Sequence, residues 1–175
     1  EQDGFSDKAK LKLSSISNNI NYKFDSSTDI LFIRLSQYID KNFIGNSNRL
    51  KYIISPTTGI NHIDIDYCNQ KGIRVLTLRN IPEKLEKIKS TSELTLMLMF
   101  GLLRNFVFVE SQYEGISCKQ RTNFRGRELS NLNVGIIGLG RIGKHLFNYM
   151  NAIGSNILCW DNDLSKLSNI PKKNV

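Results

Sequence analysis

The chain has 175 residues, 40% of them hydrophobic, which suits one good-sized domain or two small ones. No run approaches the eighteen or so apolar residues of a membrane helix, and the acidic start Glu1-Gln2-Asp3-Gly4 lacks the order of a secretory signal, so a soluble cytoplasmic protein is expected. The formal net charge of +8 raises nucleic acid as a partner, but Lys and Arg are dispersed among Asp and Glu, and the densest group, Lys119 to Arg127, is followed by Glu128; neither nucleic acid nor a membrane is therefore expected.

In chain order, Ser6 can cap a helix over 6–17, with Asp7 in its first turn and Ala9, Leu13 and Ile16 near helical spacing. Ile30 to Leu35, Tyr52 to Ser55 and Arg74 to Leu78 are short apolar runs of strand type. Asp64 to Gln70 fits a short helix that Gly72 stops. Strands separated by helices point to βαβ units and a parallel sheet. The charged stretch Pro82 to Lys89 reads as a solvated connector or helix. Ser90-Thr91-Ser92-Glu93 reads first as a helix cap with Glu in the first turn.

Ser92 to Arg104 is a nearly all-apolar helix, expected to be buried on most sides, between domains or between subunits. The polar stretch 105–130 is long for a loop and reads as an arm that contacts a partner. Leu132 to Ile137 is a strand, Arg141 to Ile153 a helix ended by Gly154, and Asn156 to Asp161 the next strand. A domain boundary falls near residue 90, giving domains over 1–89 and 90–175.

Between the strand at 132–137 and the helix at 141 stands Gly138-Leu139-Gly140-Arg141-Ile142-Gly143. A bare G-x-G-x-x-G is weak evidence, but here a strand precedes it, a helix follows, and Asp161 ends the next strand about twenty residues on. Gly138 allows the tight turn, Gly140 lets the backbone approach a pyrophosphate, and Gly143 lets the helix pack on the strand. The helix N-terminus offers unpaired N–H groups to the phosphates. Asp161 can accept from both ribose hydroxyls, and no Arg or Lys lies within Asn162 to Ser165 to meet a 2′-phosphate, so NAD is favoured over NADP.

Ser55 to Asn61 follows a strand end, where α/β proteins bind ligands. It reads either as an ordinary turn or as a nest in which Thr58 and Gly59 present successive N–H groups to a carboxylate. Trp160 reads as a packing residue, His145 as solvent-facing and His62 as locally hydrogen-bonded. Cys68, Cys118 and Cys159, odd in number and unpaired in sequence, read as reduced thiols, with Cys159 buried in a strand; no metal is expected.

Three stretches together resemble the D-isomer-specific 2-hydroxyacid dehydrogenases, a family that includes D-3-phosphoglycerate dehydrogenase. They are Leu50 to Asp64 continued by Gly72 to Leu76, Ser90 to Asn105, and Phe124 to Leu129 running through Val134 to Gly143 to Asp161. The resemblance implies an α/β protein with a flavodoxin-like parallel-sheet substrate domain followed by the first half of a Rossmann NAD-binding domain. It implies hydride transfer between a D-2-hydroxy acid and NAD, and a homodimer formed through the helix and arm over 92–130.

By resemblance, Thr58 and Gly59 hold the substrate carboxylate, Thr91 lies beside the nicotinamide, Arg141 and Ile142 contact the pyrophosphate, and Asp161 the ribose. The family often has Arg at the position of Ser55 and G-V-G at 57–59, so phosphoglycerate is not implied as the substrate. The catalytic Arg, Glu and His are expected beyond Val175, and a first strand before Ser6; the chain reads as truncated and inactive alone. The alternative is a non-catalytic NAD-binding interaction protein, corepressor-like, of the same fold.

Overall fold

The computed structural model describes residues 4–17, 19–107 and 125–171. Cys118, most of the basic group at 119–127 and the middle of the arm over 105–130 lie outside the described residues. The chain divides into two compact units, Glu1–Leu85 and Glu86–Val175.

The first unit is built on three parallel strands in the order β1-β2-β3: β1 (Ile30–Phe32), β2 (Tyr52–Ser55) and β3 (Arg74–Thr77). Phe32 faces Ile54, and Ile54 faces Leu76. Helix α1 (Asp7–Ser14) is shorter than expected; Ser6 caps it as expected, its hydroxyl accepting from the Ala9 N–H at 3.3 Å. Short helices α2 (Lys41–Ile44) and α3 (Ile65–Gln70) connect the strands and start on Asp40 and Asp64, whose carboxylates accept from the Phe43 and Tyr67 N–H groups at 2.9 Å. Gly72, with φ at +70°, turns the chain after α3.

Two strands stop earlier than the apolar runs suggested. Ile33 still donates to the Ile54 carbonyl at 3.0 Å, but Pro56 has no N–H with which to continue the ladder, so β1 does not reach Leu35. At Thr77 the hydroxyl accepts from the Arg79 N–H while Asn80 accepts from the Thr77 N–H, and this reciprocal cap turns Leu78–Asn80 into a 3-10 turn. Helix α4 (Pro82–Leu85) follows. The core gathers Ile33, Ile39, Ile44, Leu50, Ile53, Ile63, Cys68 and Ile73. Burial, and then the charge of Asp64, push the Cys68 thiol up to about 11, so it stays protonated.

The second unit opens with α5 (Ser90–Leu103), which begins one residue earlier than a Ser90 cap would require. Lys89 occupies the capping position without a side-chain bond, which corrects the expected cap at Ser90, while Glu93 stands in the first turn as expected. Ser92, Leu96, Met99 and Leu103 face the core, whereas Leu94, Met97, Leu98 and Leu102 are exposed. The helix is therefore not buried on most sides within the chain: one apolar stripe packs and the other is left open. After it the chain returns at Arg125, whose carbonyl accepts from Asn105 at 3.2 Å, and Arg127 donates to the Leu103 carbonyl at 2.8 Å.

A 3-10 turn at Leu129–Asn131 leads into β4 (Asn133–Ile137), then α6 (Arg141–Ile153) and β5 (Asn156–Trp160), parallel to β4 with Val134 facing Ile157 and Ile136 facing Cys159. Gly154 ends α6 in the left-handed conformation, φ +89°. Ile136, Ile157 and Cys159 point into the core with Leu129, Leu139 and Met150. Ile137, Leu158 and Trp160 alternate onto the other face and are exposed, so Trp160 does not pack as expected. The α/β expectation with parallel strands holds in both units. Among the described residues, no helix is long and apolar enough to cross a membrane.

Candidate functional site

Residues of β4, α6 and β5 converge on one point. The Gly138 N–H donates to the Trp160 carbonyl at 2.7 Å, one step past the last β4–β5 pair. This bond brings the glycine turn beside Asp161. The Leu139 N–H then donates to Asp161 Oδ2 at 2.6 Å, and the Leu139 side chain is fully buried beneath it. Gly138 needs its φ of +97°, which a side chain would resist. A methyl built on Gly143 would overlap the carbonyl oxygen of Gly138 and approach the Ile136 side chain. The space in front of Gly140 is open: a Cβ there would meet nothing within 4 Å.

The backbone donors of this turn divide into two sets. Gly138 and Leu139 spend theirs on β5 and Asp161. Among the described residues, the N–H groups of Gly140, Arg141 and Ile142 meet no acceptor, and α6 begins its own ladder only with Lys144 donating to the Gly140 carbonyl at 2.9 Å. Unpaired N–H groups at the positive end of a thirteen-residue helix, beside open space at Gly140, fit a pyrophosphate. The Arg141 guanidinium turns back to donate to the carbonyl of Ile88, so its backbone rather than its side chain faces the turn.

Asp161 is 4% exposed and its carboxylate is well supplied. Oδ2 takes the Leu139 N–H; Oδ1 takes the Asp163 N–H at 2.9 Å and the Lys166 ammonium at 3.0 Å. The backbone bonds from Asp163 and Leu139, then Lys166, hold its pKa below the usual carboxylate value. Lys166 lies on the 3-10 turn Leu164–Leu167, which brings it back over the strand end. The sequence window that ended at Ser165 missed it by one residue, and the signal was there: Asp163 and Ser165 form the local side-chain bonds of a turn, at 2.6 Å and 3.1 Å.

Of the other singled-out residues in this unit, Thr91 is exposed in the first turn of α5, its carbonyl accepting from the Thr95 hydroxyl at 2.8 Å. Ile142 is half-buried. His145 is also half-buried, and its Nδ1 lies 3.4 Å from the hydroxyl of the fully buried Ser92, which corrects the solvent-facing expectation.

In the first unit, Thr58 and Gly59 follow the end of β2 in a loop stiffened from within. The buried Ser55 hydroxyl lies 2.9 Å from the Thr57 hydroxyl and 3.3 Å from His62 Nε2, and the Thr57 hydroxyl donates to the Gly59 carbonyl at 2.8 Å. The Thr57 carbonyl accepts from Leu78 at 3.1 Å. Among the described residues, the Thr58 and Gly59 N–H groups have no acceptor, and a Cβ on Gly59 would meet nothing within 4 Å. Two adjacent unpaired donors at a strand's carboxyl end suit an anionic oxygen pair. No group of three or more His, Cys, Asp and Glu that could hold a metal occurs among the described residues.

Comparisons with known proteins bear on both places. Residues 96–174 match the family model for the D-isomer specific 2-hydroxyacid dehydrogenase NAD binding domain, and residues 8–133 the model for the catalytic domain of the same family. A Staphylococcus saprophyticus protein assigned provisionally to the 2-hydroxyacid dehydrogenases is 36% identical over 132 residues, 74% of this chain and 40% of that protein. A D-3-phosphoglycerate dehydrogenase of Methanocaldococcus jannaschii is 32% identical over 133 residues, 76% of this chain and 24% of that protein. The crystal structure of D-lactate dehydrogenase from Aquifex aeolicus, complexed with NAD and lactic acid, superposes with a TM-score of 0.68 at 28% identity, over 78% of this chain and 40% of that one. The chain thus spans well under half the length of these relatives.

Two outcomes follow from the geometry of the glycine turn. Gly143→Ala should lose about 1–3 kcal/mol in urea unfolding, the scale of overpacking against a fixed backbone, while Gly140→Ala should leave stability near wild type; equal losses would show that the two glycines do not differ in packing. Because the folded Asp161 pKa is lowered, its stabilisation is complete above the unfolded value of about 4 and disappears as pH falls through the folded value. Asp161→Asn should therefore flatten the acid limb of the stability profile below about pH 4; an unchanged limb would assign the acid sensitivity elsewhere.

Proposed function

Since this chain belongs to the D-isomer specific 2-hydroxyacid dehydrogenase family, we propose that it carries the cofactor site and carboxylate-binding loop of an NAD-dependent oxidoreductase acting on the CH–OH group of a D-2-hydroxy acid. The observation that carries this reading is the pairing of unpaired N–H groups at Gly140 to Ile142 with the buried carboxylate of Asp161 at the end of the neighbouring strand. The pyrophosphate is held by those N–H groups and the adenosine ribose by Asp161. Thr91 lies beside the nicotinamide. NAD supplies a hydride acceptor, and the chain's own part is to orient it.

The substrate domain, read over 1–89, contributes the Thr58 and Gly59 N–H groups to the substrate carboxylate; residues 90–175 form part of the NAD-binding domain. The Ser55–Thr57–His62 network stiffens the loop that carries those two donors. The matches to dehydrogenases favour this enzyme reading over a non-catalytic one. The open apolar stripe of α5 supports a homodimer through the 92–130 region. Buried free thiols at Cys68 and Cys159 suit a reducing, cytoplasmic location.

On the full-length protein, calorimetry should show NAD binding that Asp161→Ala weakens about ten-fold or more, the scale for lost hydrogen bonds to a charged group. NADH should form from D- but not L-2-hydroxy acids. Loss of neither binding nor stereoselectivity in the variant would remove Asp161 from its role, and absence of any NAD binding would end the reading. Sedimentation should give a dimer that Leu98→Glu dissociates; a monomeric wild type would refute the dimer.

A further inference from the structure

Lys166 is the cation that, among the described residues, pairs with Asp161. Its ammonium lies 3.0 Å from Asp161 Oδ1 and 3.8 Å from an oxygen of Asp163. It reaches that position because the Asp163 carboxylate caps the 3-10 turn Leu164–Leu167, accepting from the Ser165 N–H at 3.1 Å. The side chain is 36% exposed, while the Asp161 side chain is 5% exposed. The ammonium is thus the more solvent-accessible partner of the pair.

A carboxylate alone at this position would repel a ribose 2′-phosphate. Here the negative charge of Asp161 is offset at hydrogen-bond distance, in a partly desolvated place where the offset is screened less than on an open surface. The ammonium also carries three donors and a flexible stem, so it can exchange a carboxylate oxygen for a phosphate oxygen without backbone movement. Asp161 keeps its two backbone donors, from Leu139 and Asp163, when Lys166 leaves.

We propose that Lys166 is a specificity-determining residue of the cofactor site, letting it take a 2′-phosphorylated nicotinamide dinucleotide as well as NAD. The proposal rests on the dinucleotide reading of the glycine turn. In it, Lys166 swings from Asp161 to the 2′-phosphate when that group is present and stays on Asp161 when it is not.

The test is a fluorescence titration of the full-length protein with NADH and with NADPH, read as binding and independent of turnover. Wild type should bind NADPH within about ten-fold of NADH, and Lys166→Gln should weaken NADPH about ten-fold while changing NADH much less, the scale of one charge-assisted contact. Lys166→Arg should retain NADPH, and added salt should weaken NADPH more steeply than NADH. Lys166→Met, which keeps the aliphatic stem, serves where the Gln variant misfolds. An unchanged NADPH-to-NADH ratio in the variants, or equal weakening of both, overturns the role of Lys166 and leaves the NAD site standing. Failure of wild type to bind either dinucleotide overturns both.

Discussion

The hydrogen bond from the Leu139 N–H to the buried carboxylate of Asp161 organises the second unit. It closes the end of a two-stranded parallel ladder in which side-chain contacts alone would leave the turn free to move. By taking the Leu139 N–H, Asp161 fixes which donors are spent on the fold and which remain for a ligand. It also explains why the carboxyl stays ionised while nearly excluded from water: three donors replace its hydration. The close packing at Gly143 is the second half of this constraint, because it lets the first turn of α6 pack against the Gly138 carbonyl.

The first unit solves a similar problem with side chains. Its two unpaired donors, at Thr58 and Gly59, sit on a loop after β2, with no long helix behind them. Ser55, Thr57 and His62 supply the missing rigidity through hydroxyl and imidazole contacts around the loop's inner edge. The hydroxyls of Ser55 and Thr57 are engaged with each other, and that of Thr57 also with the Gly59 carbonyl.

Open apolar faces recur. The outer stripe of α5 and the Ile137, Leu158 and Trp160 face of the β4–β5 pair both present large side chains to water. Parallel sheets ordinarily bury both faces, so the strands β4 and β5 have the sequence of interior strands with one layer in place. The burial expected for α5 and Trp160 was a statement about residue type; what the chain buries by itself is decided by the elements that are there to pack.

The sequence by itself determined the order of strands and helices, the position of the glycine turn, and the presence of Asp161 at the end of the next strand, because apolar runs, capping carboxylates and glycines act over a few residues. It also carried the family resemblance, since that lies in contiguous stretches such as 50–64 and 134–143. Where strands end was less legible: Pro56 and the Thr77–Asn80 cap work by removing or diverting ladder partners, an effect that depends on what lies alongside. Only the tertiary structure decided how the Asp161 carboxylate is supplied, that His145 turns inward to Ser92, and that Lys166 folds back over Asp161. Each of these is set by chain reversal and packing geometry, and of the three only the turn that carries Lys166 has a local signal, in Asp163 and Ser165.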